Sequence, residues 1–69
     1  MATHATGLAT RLKRLRARRG LTQVELANKA GLSSGYVARL EAGRYHDPSL
    51  STLAKLAKAL NVPIGGLLK

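Results

Sequence analysis

The feature that most constrains this chain is a pair of short helical patterns joined at a single glycine. The segment LTQVELANKAGLSSGYVARLEAG spans residues 21–43 and is interrupted at Gly31. A helix of about eight residues is unstable alone in water, because nucleation costs more than so few hydrogen bonds return, so tertiary contacts must hold the pair. Because the second pattern resumes within about four residues of the corner, the two helices must cross at a large angle.

Capping signals mark where these two helices begin and end. Thr22 and Glu25 have the spacing of a capping box, in which the hydroxyl accepts from one backbone N–H and the carboxylate from another. Gly31 supplies a corner with positive φ, Ser33 or Ser34 starts the next helix, and Gly43 stops it. The residues expected to form the buried face of the first helix of the pair are Val24, Leu26, Ala27 and Ala30.

Three further helices are predicted around this pair. Leu8, Leu12 and Leu15 repeat at helical spacing until Gly20, and Ser49 precedes a run of Leu50, Leu53, Leu56, Ala57 and Leu60. A Val-Pro break then leads into a last turn over residues 63–68. We therefore predict an all-α chain of five helices without strands, with a flexible tail at residues 1–6 and one domain at residues 7–69.

The charge balance indicates an anionic partner. The chain contains twelve Lys and Arg residues but only three Asp and Glu residues, which gives a formal net charge of +9 on 69 residues. Six of the cations fall at Arg11, Lys13, Arg14, Arg16, Arg18 and Arg19, before any acidic residue. Such a field attracts nucleic acid or anionic lipid, although these six could also form an ordinary solvated helix face.

Several classes of function are disfavoured by what the sequence contains. There is no cysteine, and His4 and His46 lie far apart with no second ligand near either, so we expect no metal and no cofactor. Three scattered acidic residues offer no pair for acid–base chemistry, so an enzyme is the least favoured class. Without an apolar run long enough to span a membrane, and without the apolar N-terminal stretch of a signal peptide, the chain is expected to be cytoplasmic.

The helix that follows the corner has one face for the core and one for a partner. Val37 and Leu40 are expected to pack inward, which leaves Ser34, Gly35, Ala38 and Arg39 outside. Two short crossed helices with a free outer face on the second are typical of a helix-turn-helix unit. An ordinary helix hairpin would explain the spacing but not the basic exterior.

The chain resembles the phage-repressor-like helix-turn-helix domains, the Cro/cI-type or XRE-type family. The resemblance covers residues 8–68 and rests on LTQVELA, the AGLS turn, YVARLEAGR, PSLSTLAKLAKAL and the closing VP…LL. It implies a compact five-helix, lambda-repressor-like bundle that binds operator DNA, usually as a homodimer on two half-sites. The function implied is sequence-specific double-stranded DNA binding by a transcriptional regulator, chiefly a repressor, with the helix at about 33–41 in the major groove.

The resemblance also implies roles for individual residues. Ser34, Gly35 and Arg39 match positions that contact base edges, and only Arg39 has the fork of donors for guanine O6 and N7. Many relatives have Gln or Asn where this chain has Ser34 and Gly35, a departure that favours water-mediated or shape readout. The predicted phosphate contacts are Thr22, Gln23, Tyr36, Arg44, Tyr45, Arg14 and Arg18.

Other matched positions are structural or remain open. Arg16 and Glu41 match a pair that forms an internal salt bridge in relatives. For Tyr36, packing in the core is an equal alternative to phosphate contact. His46 is a further candidate for contact with the DNA backbone. Asp47 is expected to turn away from phosphate or to cap the fourth helix. Lys55 and Lys58 are assigned to the solvated side of the fourth helix.

The partner surface has two interpretations. An apolar C-terminal cluster of Val62, Ile64, Leu67 and Leu68 lies where the family commonly dimerises, yet the same residues could close the core of a monomer. A DNA-binding antitoxin is the leading alternative function, with that cluster docking a toxin or another protein partner. In a third interpretation, the basic first helix binds anionic membranes or RNA.

Overall fold

The computed structural model describes residues 4–44 and 48–68 and consists of helices joined by short turns. The helices are α1 (His4–Arg18), α2 (Gln23–Ala30), α3 (Ser34–Glu41), α4 (Leu50–Leu60) and α5 (Gly65–Leu68). No strand occurs within these two ranges. The prediction of an all-α, five-helix bundle is confirmed.

Helix α1 begins at His4, three residues before the start that the leucine spacing predicts. Gly7 does not block the helix, because its backbone is not left-handed and a helical glycine costs only about 1 kcal/mol relative to alanine. The helix therefore includes residues 4–6, which the sequence assigns to a tail, whereas residues 1–3 lie outside the described ranges.

The corner between α2 and α3 follows from its capping residues. Thr22 Oγ1 accepts from the Glu25 N–H at 3.0 Å, and Glu25 Oε1 accepts from the Thr22 N–H at 2.8 Å, so the capping box is complete. Gly31 has φ 70° and ψ 33°, a conformation that a side chain would strain. The N–H of Leu32 then bonds the Ala27 carbonyl at 2.9 Å, and Ser33 caps α3 through the Tyr36 N–H.

One core holds the five helices together. Helix α3 packs against α1 and α2, α4 packs against α2, and α5 closes over α1 and α4. Burying a leucine fully stabilises the fold by about 1.5–3 kcal/mol relative to exposing it. The fully buried side chains are Leu12, Leu26, Leu40, Leu56, Leu60, Leu67 and Val37.

Val24 does not belong to this core, contrary to the sequence prediction. Leu26, Ala27 and Ala30 are buried, but Val24 is 54 % exposed. It lies two residues before Leu26 and therefore about 200° away around a helix of 3.6 residues per turn. The buried face of α2 is narrower than its apolar content suggests.

Candidate nucleic-acid interface

Helix α3 has a sharply divided surface. Val37 and Leu40 are 0 % and 1 % exposed, so one side of the helix is committed to the core. Ser34, Gly35 and Arg39, the three predicted base-contacting residues, are all exposed, and Ala38 is half-buried. The structure therefore presents these three residues on one solvent-facing surface, which we call the α3 outer face.

Gly35 leaves open space at the start of this face. An added Cβ would meet no atom within 4 Å, and the residue's φ is not positive. Neither packing nor backbone strain therefore requires glycine here, although a glycine inside a helix costs about 1 kcal/mol relative to alanine. The fold therefore does not require that a side chain be absent here. The absence does leave room for another molecule to approach the helix backbone closely.

The start of α2 carries two polar side chains with hydrogen atoms left for an anion. The Thr22 hydroxyl accepts within the capping box, which leaves its own hydrogen to donate. Gln23 Nε2 donates to Glu41 Oε1 at 3.0 Å, and no described residue takes its second amide hydrogen. Both residues sit where the backbone N–H groups and dipole of α2 favour negative charge.

Arg16 ties α1 to the end of α3. Its Nε and Nη2 donate to the two carboxylate oxygens of Glu41 at 2.6 and 2.9 Å, and its Nη1 donates to the Leu21 carbonyl at 2.7 Å. The Glu41 side chain is only 3 % exposed. All three nitrogens of the Arg16 guanidinium therefore have partners within the protein, and its charge is paired with that of Glu41.

The same contacts set the ionisation of Glu41. Burial by itself would raise the pKa of this carboxyl, but hydrogen bonds from Arg16 and Gln23 and the charges of Arg16 and Lys13 outweigh it. The pKa of Glu41 is consequently lowered, and the hydrogen bond to Glu41 raises the pKa of Arg16. The carboxylate stays charged at neutral pH and holds Gln23 next to the start of α2.

The hydrogen bond between Gln23 and Glu41 is a contact that the sequence does not reveal. The two residues are 18 positions apart and lie on helices whose relative placement depends on the corner at Gly31. The resemblance implies a role for each residue separately. Only the fold shows that one carboxylate serves both Arg16 and Gln23.

The other residues predicted to contact phosphate differ in exposure, and some of them lie outside the residues that the structure describes. Arg14, Arg18 and Arg44 are exposed, whereas Tyr36 is half-buried and packs against the core, which is compatible with both of its assignments. Tyr45, His46 and Asp47 lie outside the described residues. In the described ranges, no cluster of His, Asp and Glu could hold a metal ion.

The predicted dimer cluster is divided by the fold. Leu67 is fully buried and joins the main core, so in this conformation it is not available to a partner. The turn from Pro63, with the Leu67 N–H bonded to the Ile64 carbonyl at 3.0 Å, directs its side chain inward. Val62 and Ile64 are half-buried against the core, and Leu68 is 55 % exposed.

Both carboxylates among the described residues bind partners outside the α3 outer face. Glu25 completes the capping box of α2, and Glu41 binds Arg16 and Gln23. No described helix combines the length and the apolar character that crossing a membrane requires.

Known proteins share the sequence and the helical arrangement of this chain. A family model described as helix-turn-helix matches residues 12–67. The immunity repressor protein of Bacillus phage phi105 is 49 % identical over 57 residues, or 83 % of this chain, and the transcriptional repressor RghR of Bacillus subtilis is 40 % identical over the same share. The chain spans 39 % and 42 % of the lengths of these two relatives.

A solved structure gives the same result for the fold. The restriction-modification controller protein C.AhdI from Aeromonas hydrophila superposes with a TM-score of 0.87 at 36 % identity. The match covers 91 % of this chain and 94 % of that one. The likeness therefore extends over nearly the whole of both molecules.

Proposed function

The chain belongs to the helix-turn-helix family, and from this we propose that it binds specific sites on double-stranded DNA and regulates transcription, as a repressor. Helix α3 enters the major groove in this proposal. The relatives are named as repressors and the solved structure as a controller protein, which supports a regulatory role. Catalysis has no part in it.

The observation that carries the proposal is the α3 outer face. Ser34, Gly35 and Arg39 are exposed on a helix whose opposite side is fixed in the core. A rigid helix is needed because base edges are distinguished by donor and acceptor positions within the groove. In the proposed complex Gly35 lets the helix start approach the bases closely, and Arg39 donates to guanine.

Phosphate contacts set the orientation of that helix. Thr22 and Gln23 bind one backbone segment at the start of α2, where Glu41 holds the Gln23 amide in place. Arg14, Arg18 and Arg44 supply positive charge, and Tyr36 and Tyr45 complete the proposed set. These contacts hold the protein on duplex DNA of any sequence and give no base preference by themselves.

We further propose that the protein acts as a homodimer. Leu68 is the exposed member of the C-terminal cluster, and Val62 and Ile64 lie half-buried beside it. Two copies joined there would present two α3 helices to half-sites about one helical turn apart. DNA binding would require the protein to act in the cytoplasm, at the nucleoid.

The alternative of a DNA-binding antitoxin shares the DNA surface and differs only in the partner of the C-terminal cluster. The relatives are named as repressors and the solved structure as a controller protein, which favours the regulator. Copurification of a second protein encoded beside this chain would distinguish the two. Stronger binding of anionic vesicles or structured RNA than of duplex DNA would favour the third interpretation, a basic anchor.

A competition experiment tests the proposed function. Duplexes enriched from a random pool by binding to the protein are compared with scrambled duplexes of equal length and base composition. We expect the enriched site to bind about a thousandfold more tightly, within the usual range for specific over non-specific binding. Equal affinity for both duplexes would show that only phosphates are contacted and would overturn the proposal.

A further inference from the structure

A basic groove runs along the contact between α2 and α4. Lys29, in the last turn of α2, lines it together with Lys55 and Lys58 of α4. Ala30 and Ala59 form its apolar floor, and its volume is about 400 Å³. We call this the lysine groove.

The three lysines are not neutralised by the part of the chain that the structure describes. None of them forms an ion pair or a hydrogen bond with a described residue, and no acidic residue lines the groove. Lys55 and Lys58 are neighbours three residues apart on one helix face, an arrangement of like charges that costs stability. The dipoles of α2 and α4 favour Lys29 and Lys58 in their last turns, but they do not account for Lys55.

The groove lies apart from the proposed DNA surface. None of its lining residues belongs to α3. Lys29 follows Gln23 by six residues, which places it about 9 Å further along α2 and about 120° around the helix axis. A protein bound to DNA through the α3 outer face would therefore keep this groove open.

We propose that the lysine groove docks an acidic segment of another protein. Carboxylates of that segment bind the three ammonium groups, and a small apolar side chain rests on Ala30 and Ala59. Charge complementarity selects an acidic partner. The alanine floor favours a peptide, which can place an apolar side chain there between its carboxylates, over a nucleic-acid backbone, whose phosphates are separated only by sugars. The proposal requires that the groove lie outside the DNA surface, but it does not depend on the proposed sequence specificity.

The test uses a labelled synthetic peptide that alternates Glu and Leu, with a Gln and Leu peptide as the uncharged probe. Fluorescence anisotropy measures the binding of each peptide to the full chain and to two triple variants of equal charge. The groove variant carries Lys29→Gln, Lys55→Gln and Lys58→Gln, and the control variant carries Arg11→Gln, Lys13→Gln and Arg19→Gln. Thermal unfolding checks that both variants are folded.

We expect the groove variant to bind the acidic peptide about tenfold more weakly than the control variant, because only the first removes the docking charges. The two variants should bind duplex DNA with similar affinity. Equal loss of peptide binding in both would mean that general charge attracts the peptide and would overturn the proposal. So would equal binding of the uncharged peptide, failure of the unmodified chain to bind the acidic peptide, or a loss of DNA binding confined to the groove variant.

Discussion

Replacing Glu41 with alanine is expected to lower the free energy of unfolding by about 2–3 kcal/mol, a large share of the stability of a domain this small. The substitution leaves the half-buried Arg16 guanidinium without its two carboxylate partners and the Gln23 amide without its acceptor. The penalty is below that of a fully buried pair because the Arg16 side chain is 16 % exposed. Thermal unfolding at neutral pH should show a midpoint about 10–20 °C lower.

Two variants and a pH series separate this effect from a general loss of charge. Glu25→Ala removes an exposed carboxylate from the capping box and should cost about 1 kcal/mol or less. The double variant Arg16→Met with Glu41→Leu should recover much of the loss, because it leaves no unpaired buried charge. If Glu41→Ala cost no more than Glu25→Ala, the pair would not hold α1 to α3.

The sign of the pH dependence follows from the lowered pKa of Glu41. Its ordinary value is 4.5 and the folded value lies below that, so the unfolded chain takes up the proton first as pH falls. The stability that this carboxylate contributes is fully present above its unfolded pKa and is lost as the pH falls through its folded pKa. The difference between the unmodified chain and Glu41→Ala should therefore shrink in acid.

Raising the salt concentration from about 50 to 200 mM is expected to weaken binding to a specific duplex about a thousandfold. Arg14, Arg18 and Arg44 are exposed cations in the proposed phosphate set, and a homodimer carries each of them twice. Each neutralised phosphate contributes about −0.9 to the slope of log affinity against log salt, so six contacts give a slope of about −5. Titrations at several salt concentrations measure this slope directly.

A pair of single variants shows which cations set the slope. Arg44→Gln should make it shallower by about 2, because two contacts are lost per dimer. Lys55→Gln removes the same charge from α4, outside the proposed phosphate set, and should leave the slope unchanged. A slope near zero in the unmodified chain, or an equal change in both variants, would contradict the assigned phosphate contacts.

Local signals in the sequence were sufficient to predict the corner between α2 and α3. Thr22, Glu25 and Gly31 act within a few residues of one another, so their capping geometry is encoded locally and appears in the structure as expected. Gly20 likewise ends α1 with a positive φ. For this reason, the number of helices and the exposed side of α3 were both predictable.

Features that depend on packing between distant segments were not predictable. The sequence alone assigns Val24 to the apolar face of α2, and only the neighbouring helices define where the core lies. Leu67 and Leu68 are identical in type, and only the turn after Pro63 decides that the first is buried and the second exposed. The lysine groove likewise requires the contact between α2 and α4, because Lys29 and Lys55 are remote in sequence.

We propose that the α3 outer face reads base pairs, and binding-site selection with two proteins tests this proposal most directly. Random duplexes are selected in parallel with the unmodified chain and with Arg39→Ala. We predict two half-sites about one helical turn apart for the unmodified chain, and a loss of about 10- to 100-fold discrimination at one base pair of each half-site for the variant. Recovery of the same motif by both proteins, with every position equally specified, would contradict the claim.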